Sequence, residues 1–128
     1  MENIITNIIN VNDFTNLLQE NNSIVIIKFG AEWCHPCKLT NEIVNDWYYK
    51  LLNSTTIKVV YVDVDVSFEL FTFLKKKKMV QAIPTILAYY KNNNTHIFDD
   101  GIVGSNKIHI DEFFERCLQK YNREFVKS

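Results

Sequence analysis

Glycine, proline and cysteine are scarce in this chain, and each scarcity removes a class of explanation. Among 128 residues there are three glycines, two prolines and three cysteines. The three glycines make no phosphate-binding loop, and no serine sits in a nucleophile elbow. An odd number of cysteines argues against the disulfide framework of a small secreted protein. The formal net charge is −1, so there is no general electrostatic case for binding nucleic acid or a membrane surface. No apolar run is long enough to span a bilayer. Met1, Glu2 and Asn3 open the chain, and Asn7, Asn10 and Asn12 interrupt the apolar residues that follow, so no signal peptide is expected. These features predict a reducing compartment, the cytoplasm. The richness in Asn, Ile and Lys fits an AT-rich genome, as in some parasites and large DNA viruses. For a viral source, the host cytoplasm or the virion is the expected place.

What is present suffices for one core. The hydrophobic fraction is 47% and the aromatic fraction 13%, a composition and length that fit a single domain over residues 1–121. Residues 122–128 are expected to form a loose tail. No internal repeat or linker is visible. Residues 4–9 read as a short strand. Asn10 or Asn12 caps a helix carrying Phe14, Leu17 and Leu18 on one face. Residues 24–29 form a nearly uninterrupted apolar strand, as at the centre of a sheet covered on both sides. A helix follows Cys34 to about Leu52, and residues 57–64 form the next strand. Phe68, Phe71 and Leu74 mark a third helix, which ends in Lys75, Lys76, Lys77 and Lys78, where positive charge suits the helix dipole. Residues 83–90 form a strand opening with Pro84. A polar turn over 91–94 leads to an edge strand at 96–98, and Gly101 and Gly104 mark a turn or bulge. Ile110, Phe113, Phe114, Cys117, Leu118 and Tyr121 give the last helix a full apolar stripe, from near Ser105. The expected fold class is α/β, a central mixed sheet flanked by helices in the order βαβαβαββα.

Residues 30–38, Gly-Ala-Glu-Trp-Cys-His-Pro-Cys-Lys, carry the chemistry. Cys34 and Cys37 sit where a buried strand hands over to a helix, which makes the pair a redox motif. Unpaired N–H groups and the positive end of the helix dipole favour a thiolate at Cys34, and the thiolate is the nucleophile. Cys37 lies one turn on, with Cβ atoms roughly 5–6 Å apart in an undistorted helix. A disulfide needs about 3.8 Å, so a small adjustment closes the pair. The loop it closes is too short to stabilise the fold much. Pro36 suits the first helical turn, where its missing N–H leaves nothing unbonded. Cys117 reads as a buried core thiol, and His96 and His109 as surface residues. Cys34 and Cys37 with one distant Cys or His do not make a four-ligand zinc pattern, so no metal is expected.

The motif Trp33-Cys34-His35-Pro36-Cys37-Lys38 resembles the Trp-Cys-Gly-Pro-Cys-Lys of the thioredoxin family. Ile83-Pro84-Thr85 resembles that family's Ile-Pro-Thr, whose proline is cis. Gly104 stands before the last helix, where the family keeps a glycine. Both prolines of the chain, Pro36 and Pro84, fall in these motifs. The resemblance covers roughly residues 4 to 121 and implies the thioredoxin fold. It implies a reductase of protein disulfides, with Cys34 as the exposed attacking thiolate and Cys37 as the buried resolving thiol. Trp33, Ile83, Pro84, Thr85 and Gly104 would form the substrate-docking surface, with Pro84 against the cysteine pair. No bound cofactor is implied. Electrons would come from NADPH only indirectly, through a thioredoxin reductase, and the protein would act as a monomer on disulfide-containing proteins.

Four departures qualify the resemblance. Lys28 falls where the family carries a buried aspartate, and Tyr61 where it carries that aspartate's lysine partner. Lys28 is expected to snorkel, to hydrogen-bond Tyr61 or to stabilise a thiolate at Cys37, unless a shifted register leaves it exposed at the strand end. His35 replaces glycine and would favour the Cys34 thiolate, making the couple more oxidising. Glu42 replaces a mid-helix proline, and the stretch from Asp65 to Pro84 is longer than usual. Two alternatives to the reductase follow: a more oxidising oxidase or isomerase, and a redox-silent binding subunit docking through Trp33, the Pro84 loop or the lysine run.

Overall fold

The computed structural model describes residues 4–126. Its helices are α1 (Val11–Gln19), α2 (His35–Ser54), α3 (Phe68–Lys76) and α4 (Lys107–Glu124), and its strands β1 (Ile24–Gly30), β2 (Lys58–Asp63), β3 (Thr85–Tyr90) and β4 (Asp100–Val103). The strands lie in the order β2-β1-β3-β4. β1 pairs parallel with β2 and antiparallel with β3, which pairs antiparallel with β4. The architecture is the expected mixed α/β sheet.

β1 organises the molecule, and every one of its residues is buried. Strand side chains alternate faces, and both faces of β1 are covered. Ile24 and Ile26 pack with Val44, Tyr48, Leu51 and Phe114 on the α2 and α4 side. Val25, Ile27 and Phe29 pack with Phe14, Leu17, Leu70 and Leu74 on the α1 and α3 side. Lys28 shares the parity of Ile24 and Ile26, so its side chain rises towards α2.

Several expectations need correcting. Residues 4–9 do not form a strand. Ile5 alone bridges to Val60, with the Ile5 N–H on the Val59 carbonyl and the Tyr61 N–H on the Ile5 carbonyl. The groups beyond Ile5 are taken by side chains. Ser67 Oγ donates to the Ile8 carbonyl at 2.8 Å, and the Ile9 N–H donates to Asp13 Oδ2 at 2.9 Å. Asp13 also accepts from the Asn10 N–H while Asn10 Oδ1 accepts from the Asp13 N–H, a capping box that starts α1 from Asn10 rather than Asn12. Ile8 still buries its side chain, so about 2 kcal/mol of apolar burial is kept without a ladder.

α2 runs on through Ser54, because Asn53 Nδ2 and Ser54 Oγ donate to the carbonyls four residues back instead of breaking the helix. In α3 the inward face is Leu70 and Leu74, while Phe68 is exposed. β3 begins at Thr85, since Pro84 has no N–H to give a ladder. The expected edge strand at 96–98 is instead a turn tied by Asn93 Nδ2 to the Ile97 carbonyl and by Asp99 Oδ2 to the Tyr90 N–H. The edge strand is β4, which begins only at Asp100. It contains Gly101, where a Cβ would stand 3.0 Å from Leu87 Cδ2. α4 starts from Asn106, whose Oδ1 accepts from the His109 N–H, and continues past Tyr121 to Glu124.

Candidate functional site

Cys34 is the residue that caps α2. Its backbone is extended, and the Cys37 N–H donates to its Sγ at 3.2 Å. Cys34 and Cys37 are joined as a disulfide, with their Cα atoms 5.2 Å apart. His35 and Pro36 form the exposed start of the helix between them. An N–H aimed at Cys34 Sγ and the end of a 20-residue helix both favour negative charge on that sulfur.

Exposure does not separate the two cysteines. Cys34 is 4% exposed and Cys37 3%, so the expectation of an exposed Cys34 is corrected for the disulfide form. Its Sγ is overlaid by the Ile83 carbonyl oxygen, 3.9 Å away. What distinguishes the cysteines is position: Cys34 receives the helix N–H, and Cys37 sits one turn inside.

The Pro84 loop faces this pair. The Ile83–Pro84 peptide is cis. Thr85 is buried, and its Oγ1 donates back to the Ala82 carbonyl at 2.6 Å. The Gly104 N–H donates to the Pro84 carbonyl at 2.9 Å, and Gly104 has φ +102, a conformation that glycine adopts without strain. Ile83, Pro84, Thr85 and Gly104 are thus brought together, with the Ile83 carbonyl against Cys34. Trp33 stands on the other flank, 68% exposed, its Nε1 donating to Asp65 Oδ2 at 2.8 Å.

Lys28 and Tyr61 lie behind the pair and are strand neighbours, as the resemblance implies. Lys28 is only 2% exposed, which excludes the shifted register. It does not hydrogen-bond Tyr61. Its Nζ donates to Asn41 Oδ1 and, at 3.3 Å, to the Cys37 carbonyl, while the Tyr61 ring centroid is 6.0 Å away. Burial lowers the Lys28 pKa to about 8. Tyr61 is pushed upward, first by burial and then by Asp63, Glu32 and Asp65. Gly30 lies between Cys37 and Tyr61: a Cβ there would make ordinary contacts of 3.4 Å with Cys37 Sγ and 3.6 Å with Tyr61 Cε1.

Sequence reasoning missed Asn41, Asp65 and Tyr48. Asn41 was findable, since it lies four residues after Cys37 on the same helical face. Tyr48 hides in the α2 stripe; its hydroxyl donates to the Val60 carbonyl at 2.7 Å. Cys117 is fully buried, and burial pushes its thiol up to about 12. Among the described residues, no cluster of three His, Cys, Asp or Glu side chains is placed to hold a metal ion.

Comparison with known proteins agrees with this arrangement. The family model for thioredoxin matches residues 5–116. Thioredoxin 3 of Plasmodium falciparum is 31% identical over 100 residues, which is 77% of this chain and 51% of that protein. Thioredoxin Y2, chloroplastic, of Arabidopsis thaliana is 32% identical over 78 residues, 61% of this chain and 43% of that protein. The chain thus spans about half the length of these two relatives. The oxidized mitochondrial thioredoxin 3 of Saccharomyces cerevisiae superposes with a TM-score of 0.67 at 25% identity, covering 88% of this chain and 94% of that one. With its cysteine pair at the start of α2, the Pro84 loop over it and a family match across most of its length, the chain belongs to the thioredoxin family.

Proposed function

We propose that this protein is a thiol–disulfide oxidoreductase of the thioredoxin type that reduces protein disulfides. The observation that carries the reading is Cys34 as helix cap, bonded to Cys37 and faced by Ile83 and Pro84. In the reduced protein the Cys34 thiolate attacks one sulfur of a substrate disulfide. The substrate S–S bond breaks, a mixed disulfide forms, and the released substrate thiolate takes a proton from solvent. Cys37 then gives up its proton and attacks Cys34 Sγ. The mixed disulfide breaks, the Cys34–Cys37 bond forms, and the second substrate sulfur leaves as a thiolate and is protonated. Two electrons pass from the cysteine pair to the substrate.

Docking follows from the surroundings. An extended substrate segment pairs with the backbone at Ile83, beside Pro84, Thr85 and Gly104, while Trp33 supplies exposed aromatic surface. His35, at the exposed first position of α2, lies next to the attacking sulfur. The family supports a reductase as recycling partner, with electrons drawn from NADPH, and a role in cellular redox homeostasis and electron transport. The cytoplasm is the proposed location, to be checked by imaging a fluorescent fusion.

The test is reduction of insulin by dithiothreitol, with wild type and Cys34→Ser compared. Acceleration by wild type alone supports the reading, and equal background rates in both overturn it. A more oxidising couple is the second reading. It is favoured by the buried Lys28 ammonium, which has no carboxylate partner among the described residues. A strongly reducing midpoint against glutathione would exclude it.

A further inference from the structure

Lys28 is the one buried side chain at this site that the exchange reaction leaves unexplained. Burying an ammonium is costly unless a counter-charge repays it. Among the described residues, the ion pairs are Lys107 with Asp111, Arg116 with Asp100 and Lys120 with Glu124, all remote from Lys28. The bonded partners of Lys28 Nζ are neutral: the Asn41 amide oxygen and the Cys37 carbonyl. It borders a cavity of about 350 Å³ whose polar lining is Thr6, Asn41, Asn45, Tyr48 and Tyr61. Neither tyrosine is a counter-ion at neutral pH, because burial moves both phenols above their ordinary pKa.

One neighbour acquires negative charge during the reaction. Cys37 must lose its thiol proton before it resolves the mixed disulfide. The Lys28 ammonium bonds the carbonyl of that same residue, and Cys37 Sγ and the Tyr61 ring both lie beside Gly30. Other charged groups are worse placed. On α2, His35 and Lys38 are exposed on the outer side, and Glu42 faces solvent. From β2 and the loops, Asp63, Glu32 and Asp65 bear on Tyr61. β3 presents the Ile83 carbonyl to Cys34.

We propose that Lys28 is a positioning residue for the resolving step, its buried ammonium supplying the counter-charge that stabilises Cys37 as a thiolate. This rests on the oxidoreductase reading above. Bonded to the Cys37 carbonyl, the ammonium stands beside the residue that ionises, and an opposite charge nearby favours the ionised thiol. The Lys28 pKa of about 8 leaves it mainly protonated at neutral pH. The Cys37 proton goes to solvent, and Lys28 keeps its own proton throughout. The site therefore assists the resolving cysteine with a cation and not with a proton-accepting carboxylate.

The test titrates Cys37 in a Cys34→Ser background, by the Cβ chemical shift of ¹³C-labelled cysteine. Cys117 gives a separate signal and does not titrate near neutrality. Lys28→Met and Lys28→Gln are compared with the parent. Met keeps the volume without charge, and Gln keeps a donor for Asn41 and the Cys37 carbonyl. Both are expected to raise the Cys37 midpoint by about one unit or more. Coincident midpoints in all three proteins, or a parental midpoint in Lys28→Gln, overturn the proposal. A purely structural role would move the melting temperature and leave the midpoint still. The titration needs no turnover, so its failure is distinct from failure of wild type to reduce insulin.

Discussion

The Gly104 N–H donates to the Pro84 carbonyl at 2.9 Å, which ties the approach to α4 to the loop over the cysteines. Gly104 holds φ +102, and a Cβ there would meet nothing within 4 Å. Gly104→Ala therefore strains the backbone without a clash. A cost of roughly 1–3 kcal/mol is expected, read as a melting temperature several degrees lower, with slower insulin reduction as the loop loosens. An unchanged melting temperature would refute this account of Gly104.

Lys28 carries a stability prediction with a definite sign. Its folded pKa of about 8 lies below the ordinary 10.5. Between those values the unfolded chain keeps a proton that the folded protein has lost, so raising the pH across that window favours folding. At pH 7 the buried charge costs up to ~3 kcal/mol. Lys28→Met should be the more stable protein at pH 7, and its advantage should shrink from pH 8 to 10.5. Denaturant titrations at a series of pH values check this, and a pH-independent difference would contradict it.

Tyr48 is almost fully buried, and its hydroxyl donates to the Val60 carbonyl. Tyr48→Phe keeps the ring and removes that bond. A loss of about 1 kcal/mol is expected by denaturant melts, with insulin reduction unchanged.

Trp33 is held by Asp65 through one exposed hydrogen bond. Exposed polar pairs contribute little to stability. Asp65→Ala should leave the melting temperature within a degree or so of wild type, while raising KM for a protein disulfide more than it lowers kcat. Equal effects on both parameters would argue against a docking role for Trp33.

Much of this was legible in the sequence, and the gaps have physical causes. The uncharged run of 24–27 located β1, whereas the pairing of Lys28 with Tyr61 was legible only through the resemblance to the thioredoxin family, whose paired positions they occupy. Cys34, Pro36 and Pro84 were legible because each has a special backbone requirement. Residues 4–9 misled, since apolar content cannot reveal that Ser67 and Asp13 take the backbone groups of Ile8 and Ile9. The Asn41 and Asp65 contacts depend on how α2 and the loop after β2 lie against β1 and Trp33. That tertiary information has no local signature.

In the proposed exchange Cys34 attacks and Cys37 resolves. Trapping tests it most directly: oxidised insulin is mixed with each reduced single-cysteine-motif variant, and the products are separated without reductant. Cys37→Ser should accumulate a mixed disulfide through Cys34, while Cys34→Ser should accumulate little. Equal trapping by both variants, or preferential trapping through Cys37, would contradict the account.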